Sequence, residues 1–180
     1  MTQYSEKSYK MASDNTKYND DGKAVISEND EWRDEKEWDE VFEQMQKERR
    51  RFEQNEKIHR LSITDKNCWS YIYEIITIKV TSKPHFCDLT GLGEENYRKA
   101  EKGQKNDPTV RTIVAIGVGL KLDIETVEKM LTLAGRSFKD SPEDRALKFC
   151  ITGLSGHPIE DCNDFLESLG YEPLGTKERN

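Results

Sequence analysis

Residues 87–103, CDLTGLGEENYRKAEKG, decide how the middle of this chain folds. Two short stretches with apolar residues at helical spacing flank Gly91, and Gly103 ends the second of them. Glycine adopts positive φ without steric cost, so it suits a tight turn between helices and the residue just after a helix. The stretch therefore predicts two short helices joined at Gly91, the second of which opens with Glu94 and Glu95.

The same stretch fits the spacing of a helix-turn-helix, which needs a small inward residue, a turn glycine and two inward anchors. Counted from Lys83 as the first position, the residues that fit are Phe86, Cys87, Gly91, Leu92, Tyr97 and Ala100. Thr90 departs from the pattern, because the eighth position normally holds an aliphatic residue. The aliphatic Leu89 stands one position earlier. Tyr97 and Ala100 are predicted to be core anchors, in preference to a base-stacking role for Tyr97.

The segments on both sides of this stretch also have helical patterns. Trp69, Ile72, Ile75 and Ile76 fit a helix period, with Asp65 as the predicted N-cap, although their isoleucine content would also suit a strand. We expect a helix because the segments that follow are all helical. Caps and prolines predict the starts of four more helices, at Asn106-Asp107-Pro108, Asp123, Ser141 and Pro158. About seven short helices are therefore predicted in residues 65–170, and the fold class is all-α.

The N-terminal third has a different composition. Residues 1–26 are rich in Ser, Asn, Asp and Lys and are predicted to be a disordered tail. Residues 27–62 predict a charged amphipathic helical arm whose apolar stripe consists of Trp38, Val41, Phe42, Met45 and Phe52. Such a stripe either packs back on the domain, pairs weakly with a second copy, or docks another protein. Arg49 interrupts it where a coiled coil prefers an apolar group.

Composition and cysteine spacing exclude several classes of protein. The 180-residue chain has a formal net charge of -7, with 34% hydrophobic and 35% charged residues. It has no apolar run long enough for a membrane span and no secretory signal pattern, so we expect a cytoplasmic location and no membrane partner. Four cysteines without a C-x-x-C pair predict buried structural thiols and no metal site. We expect no cofactor and no enzyme activity, because no nucleophile–base pair or phosphate loop is present.

The charge is distributed unevenly along the chain. Residues 1–60 carry sixteen acidic and twelve basic side chains, and residues 112–180 carry twelve acidic and eight basic. Residues 61–111 instead carry seven acidic and eight basic side chains. The predicted helix-turn-helix thus lies in the one segment that is not acidic, which permits nucleic-acid binding there without requiring it.

The segment Leu92 to Leu120, LGEENYRKAEKGQKNDPTVRTIVAIGVGL, resembles the Cro-like, xenobiotic-response-element (XRE) family of helix-turn-helix regulators. In that family the recognition helix ends in an acid, a spacer and a glycine, and a proline and an apolar helix follow. The matching residues here are Glu101, Gly103, Pro108 and Gly119-Leu120. The resemblance covers about residues 65–135 and implies a five-helix, lambda-repressor-like domain. We place this domain at 63–137, a C-terminal helical extension similar to those of Firmicute regulators at 138–175, and a tail at 176–180.

The resemblance also implies which residues face a DNA duplex: Lys83, Glu94, Glu95, Asn96, Arg98, Lys99, Lys102 and Lys105. Arg98 and Lys99 could donate to guanine O6 and N7 or to phosphates, whereas a glutamate can accept only from an amino group such as cytosine N4. Asn96 could pair with adenine. Lys102 and Lys105 suit phosphate contacts, and they equally suit solvation or the helix dipole.

Two functions follow from these expectations. The first is a sequence-specific DNA-binding transcriptional regulator, most simply a repressor, that binds double-stranded DNA as a homodimer joined by the N-terminal helix or the C-terminal helix pair. The second is a helix-turn-helix module that binds no DNA and grips a protein partner, as an adaptor or antitoxin does. The XRE resemblance and the slightly basic local charge favour the first function, which we expect, whereas the acidic flanks, the two glutamates and the striped arm support the second.

Overall fold

The computed structural model describes residues 28–175, with side chains from residue 38 onward. This part of the chain is all-helical and contains no strand, so the predicted all-α class is confirmed. The predicted tails at 1–26 and 176–180 lie outside the described residues. No helix between residues 28 and 175 combines the length and the apolar character needed to cross a bilayer. The helices are α1 (Glu28–His59), α2 (Cys68–Lys79), α3 (Lys83–Thr90), α4 (Glu94–Glu101), α5 (Val110–Gly119), α6 (Ile124–Leu133), α7 (Pro142–Thr152) and α8 (Ile159–Ser168).

Short polar side chains set the starts of most of these helices. The side chains of Ser82, Asp123 and Ser141 each accept a hydrogen bond from the backbone N–H three residues later. Such caps satisfy one of the free donors in the first turn, and each contributes about 1 kcal/mol. The predicted caps at Asp123 and Ser141 are therefore confirmed.

Two predicted helix starts are wrong by a few residues. Asp65 was expected to cap α2, but it lies before the helix at φ 59°, and Asn67 accepts from Ser70 N at 2.8 Å instead. Asn106-Asp107-Pro108 was expected to open α5, but the cap is Thr109, whose hydroxyl oxygen accepts from Thr112 N at 3.1 Å. In both places several side chains that can accept a hydrogen bond stand close together in sequence. The one that caps the helix lies three residues before a backbone N–H of the first turn that has no partner within the helix.

The chain divides into two compact units between Arg50 and Arg51, within α1. The described part of the N-terminal unit is helical along its length. In the second unit, the last turns of α1 pack on the domain: Ile58 is buried, and Gln54 Nε2 donates to the carbonyl of Ile78 at 3.3 Å. The division of residues 63–175 into a domain and an extension stays a prediction.

Helix α5 lies at the centre of the second unit. Every residue from Ile113 to Gly119 is buried, and α5 contacts α3, α6, α7 and α8. Gly119 allows the closest of these approaches, because a Cβ built at this position would lie 2.4 Å from the carbonyl oxygen of Leu89. The end of α3 therefore rests directly on the end of α5, which sets the position of the turn that follows α3.

Candidate nucleic-acid interface

Helices α3 and α4 are joined by a tight turn at Gly91. This glycine has φ 63°, in the left-handed region, and its N–H donates to the carbonyl of Cys87 at 3.0 Å. Leu92 then turns inward and is 2% exposed. The predicted hinge is confirmed in position and in backbone conformation.

Thr90, which departs from the helix-turn-helix pattern, is accommodated by two local hydrogen bonds. Its side chain is fully buried, and its hydroxyl donates to the carbonyl of Phe86 at 2.8 Å. The same oxygen accepts from Leu92 N at 3.3 Å. A buried hydroxyl avoids the cost of an unsatisfied polar group when it is bonded in this way. Threonine thus takes the place of the aliphatic residue and also fixes the backbone of the turn.

The inward face of α4 is anchored by aromatic packing. The ring of Tyr97 meets the rings of Tyr73 and Phe86 edge-on, at centroid distances of 6.2 Å and 5.7 Å, and Ala100 is 1% exposed. Edge-to-face pairs of this kind add to the stabilisation that comes from burial alone. Tyr97 is half-buried and packs inward against the core, in the direction predicted, and α4 is held against α2 and α3.

The outward face of α4 carries two ion pairs along the helix. Arg98 Nη2 lies 2.9 Å from Glu94 Oε2, and Lys99 Nζ lies 2.8 Å from Glu95 Oε1. The hydrogen bond from Lys99 is the main reason that the pKa of Glu95 is below its ordinary value. The glutamates also suit the start of α4, since Gly93 provides no side-chain cap and the helix dipole favours negative charge there. The sequence predicted that Arg98, Lys99, Glu94 and Glu95 all face DNA from α4. In the structure each of the two cations is instead paired with one of the two glutamates.

The other predicted contact residues surround this face. Lys83 Nζ lies 5.7 Å from the centroid of the Tyr97 ring, so the start of α3 is next to α4. Asn96 is half-buried in the first turn of α4, and Lys102 and Lys105 are exposed just beyond its last turn. The structure therefore places Lys83 beside α4 and the two lysines at its C-terminal end.

The loop that carries Lys102 and Lys105 is fixed by the start of α2. Gly103 has φ 55°, and its carbonyl accepts from Asn67 Nδ2 at 2.9 Å. Trp69 Nε1 donates to the carbonyl of Asn106 at 2.6 Å. The predicted left-handed conformation at Gly103 is confirmed. These bonds give the two lysines a defined backbone position relative to α4.

The C-terminal segment braces the turn between α3 and α4 from the other side. A Cβ built at Gly175 would lie 2.5 Å from the carbonyl oxygen of Gly91, so the two backbones are in direct contact. Asn163, 7% exposed, holds the segment by donating to the carbonyl of Leu174 at 3.2 Å and accepting from its N–H at 2.6 Å. Arg111 donates to the carbonyls of Glu172 and Pro173. This brace was not predicted from the sequence.

A second charged cluster lies where the end of α1 meets α6. His59 Nε2 is 3.1 Å from Asp123 Oδ2, and His59 Nδ1 is 3.6 Å from Glu125 Oε2. One donor atom from each residue lies within 4.8 Å of the others, which is close enough to share a metal ion. However, the two carboxylates face different ring nitrogens, and an imidazole offers only one nitrogen to a given metal. The arrangement is that of a histidine at the end of α1 that lies between two carboxylates at the start of α6.

The four cysteines are free and buried, which confirms the prediction that they are buried. Burial is the main cause that raises the pKa of Cys68 to about 12, and its Sγ lies 3.2 Å from the carbonyl of Met130. A thiol with this pKa stays protonated at neutral pH, and the thiolate is the reactive form. Cys68 is therefore a packing residue of α2.

The XRE resemblance rests on the glycines, the proline and the apolar anchors of residues 65–135. These features specify how the backbone turns and which side chains face inward. The identities of the outward residues have no such internal constraint. Comparison with known proteins leaves the family open: no family model matches the chain, and no curated protein or solved structure matches it either.

Proposed function

We propose that the chain is a sequence-specific regulator of transcription that binds double-stranded DNA through a helix-turn-helix formed by α3 and α4. In this proposal α2 to α6 form the five-helix domain, and α4 enters the major groove. The observation that carries it is the way α4 is held. Tyr97 and Ala100 fix one face against the core, while Glu94, Arg98 and Glu95 lie exposed on the other.

The charged side chains would act in two groups. Arg98 and Lys99 are on α4 and would reach base edges or nearby phosphates. Lys83, Lys102 and Lys105 are at the ends of the two helices and would contact phosphates on each side. The loop bonds from Asn67 and Trp69 support this assignment, because a phosphate contact from a fixed backbone sets the register of the protein on the duplex.

The ion pairs on α4 would have to open for Arg98 and Lys99 to bind DNA. Solvent screens an exposed pair of this kind, so opening one lowers the affinity only slightly. Glu94 and Glu95 then face the duplex, where phosphates repel them and only an amino group such as that of cytosine can bind them. Weak non-specific binding and a preference for sites with suitably placed cytosines are the expected results.

The test is a fluorescence-anisotropy titration of the full chain against a random duplex at two salt concentrations, followed by selection of bound sequences from a random pool. We expect Arg98→Ala with Lys99→Ala to weaken binding and to reduce the salt slope by about one for each phosphate that the variant no longer neutralises. The matched control is Arg145→Ala with Lys148→Ala, which removes the same charge from exposed ion-paired residues of α7. An equal weakening in the control, or no binding by the parent chain at low salt, would overturn the proposal.

One observation favours the second candidate, a module that binds a protein instead of DNA. Both pairs on α4 are already formed within the helix, so its exposed face carries little net positive charge. The variant Glu94→Gln with Glu95→Gln separates the candidates, because it frees both cations. A DNA-binding chain should gain affinity for the random duplex, whereas a protein-binding module should show no DNA binding in either form.

A further inference from the structure

The N-terminal unit presents an apolar face that nothing in the described structure covers. Trp38, Phe42 and Met45 are 63%, 61% and 63% exposed, and Val41 is 45% exposed. Their spacing places all four on one side of α1. Phe52, seven residues after Met45, is exposed as well. A contiguous group of large apolar side chains on a charged helix marks an interaction surface.

The charges of α1 are separated along its length. Residues 28–45 carry nine acidic and two basic side chains, and residues 46–60 carry three acidic and six basic. The change of sign falls next to Met45. Two such helices side by side in parallel would place like charges together, whereas an antiparallel pair places each acidic half on a basic half.

We propose that residues 38–50 of α1 bind the same segment of a second copy of this chain in an antiparallel pair, with the two-fold axis near Met45. A two-fold interface uses the same patch on both subunits, so the patch must complement itself. Residues at equal distances before and after Met45 then lie at the same level along the pair. Asp39 and Arg49 lie on the same flank of the apolar stripe, so Asp39 of each copy approaches Arg49 of the other.

Arg49 fits this arrangement although it interrupts the apolar stripe. It lies four residues after Met45, so it faces Val41 of the second copy, which lies four residues before its own Met45. The alkyl stem of an arginine can cover apolar surface while the guanidinium reaches toward charged groups. Here the guanidinium would point to the acidic half of the second copy. In a parallel pair Arg49 would instead meet another Arg49.

The first test measures self-association of the full chain by sedimentation equilibrium without DNA, so its outcome does not depend on the proposed function. We expect the mass to rise with concentration from 20.9 kDa toward twice that value. Reversing the acid (Asp39→Lys) or the base (Arg49→Glu) of this contact, which the two-fold axis repeats, should shift the chain to monomers. An equimolar mixture of the two variants should form a heterodimer.

The control reverses three acidic residues of α8, Glu160→Lys, Asp161→Lys and Asp164→Lys, and should leave self-association unchanged. Thermal melts of all variants check that the second unit stays folded. A parent chain that stays monomeric at every concentration, or reversed variants that remain dimers, would overturn the proposal. An unchanged mass in the mixture of reversed variants would overturn it too.

The second test determines the orientation of the two helices. A spin label at Asp39→Cys reports the distance between copies, and the four native cysteines are buried and therefore protected from the label. Asp39 lies six residues from the axis, so an antiparallel pair separates the two labels by about 18 Å along the helices at 1.5 Å per residue. A parallel pair in register separates them by about 10 Å, the distance between packed helices. The shorter distance would overturn the antiparallel arrangement.

Discussion

The substitution Gly119→Ala tests how α3 is seated on α5, on which the position of the turn and α4 depends. A methyl group at this position would lie 2.4 Å from the carbonyl oxygen of Leu89 and 2.8 Å from both Leu89 C and Thr90 Cα. Alanine favours a helix over glycine by up to about 1 kcal/mol, which acts to stabilise α5. Overpacking a core typically costs about 1–3 kcal/mol, and here the obstacles are backbone atoms that no rotamer change can move.

The steric term should win, and we expect a net decrease of about 1–2 kcal/mol in the free energy of unfolding. For a chain of this size each kcal/mol lowers the melting temperature by about 2–4 °C, so the melting temperature should fall by about 2–8 °C. Differential scanning calorimetry measures this directly. The displaced α3 should also carry α4 with it, so DNA binding should weaken if the proposed function is correct.

The matched control is Gly153→Ala at the end of α7. A methyl group there would lie 2.2 Å from the ring of Phe149, which is an even closer approach. That ring belongs to an exposed side chain and can swing away, and the glycine has φ -88°, which alanine adopts freely. We expect no decrease in stability. If Gly119→Ala is as well tolerated as Gly153→Ala, then α3 does not rest on α5 as described.

Two further predictions concern Asp123, which lies beside His59, and the C-terminal brace. Burial acts to raise the pKa of Asp123, but the amide of Thr126 and nearby His59 outweigh it and lower this pKa below 3.8. The negative charge of Asp123 therefore stabilises the fold above pH 3.8, and this stabilisation is lost as the pH falls through the lowered pKa. The variant Asp123→Asn keeps the cap, so in urea titrations it should be less stable than the parent by up to about 1 kcal/mol at pH 7 and nearly equal to it at low pH. A stability difference that stays the same at all pH values would contradict this. The variant Asn163→Ala leaves the buried N–H and carbonyl of Leu174 without partners, so the free energy of unfolding should fall by about 2–4 kcal/mol and hydrogen exchange at Leu174 should become faster. The control Glu160→Ala on the same helix should change neither quantity. Unchanged exchange at Leu174 in Asn163→Ala would show that Asn163 does not hold the segment.

Features that depend on a few neighbouring residues could be predicted from the sequence. The positive φ of Gly91 and Gly103 follows from their positions after short helical patterns. The caps at Asp123 and Ser141 follow from a short acceptor three residues before a free N–H. The errors at Asp65 and Pro108 arose where several such acceptors compete within a few residues.

The pairing of the charges on α4 was missed although its signal was present. Glu94 and Arg98, and likewise Glu95 and Lys99, are four residues apart with the acid first, the orientation that stabilises a helix best. From the sequence, each of these residues was expected to contact DNA separately. Taken as i,i+4 pairs, they also explain why the helix can begin at a glycine that provides no side-chain cap.

Contacts between distant segments could not be predicted in this way. Arg111 has no local feature that indicates its bonds to the carbonyls of Glu172 and Pro173, and His59 has none that indicates Asp123. Helical periodicity shows which face of a helix is inward, but it does not show which other segment of the chain packs against that face. The brace on Gly91 therefore emerges only from the packing of α8 and the segment after it.

The two proposals reinforce each other energetically. A single α4 whose cations are paired with glutamates has little attraction for phosphate, so one domain alone should bind DNA weakly. An antiparallel α1 pair would join two such domains, and binding of the second domain to a neighbouring half-site would then be intramolecular. Affinity would depend on two correctly spaced half-sites more than on bulk charge. The glutamates at the start of α4 would then suppress binding to unrelated DNA, and charge reversal in α1 should weaken binding to a two-half-site duplex far more than binding to a single half-site.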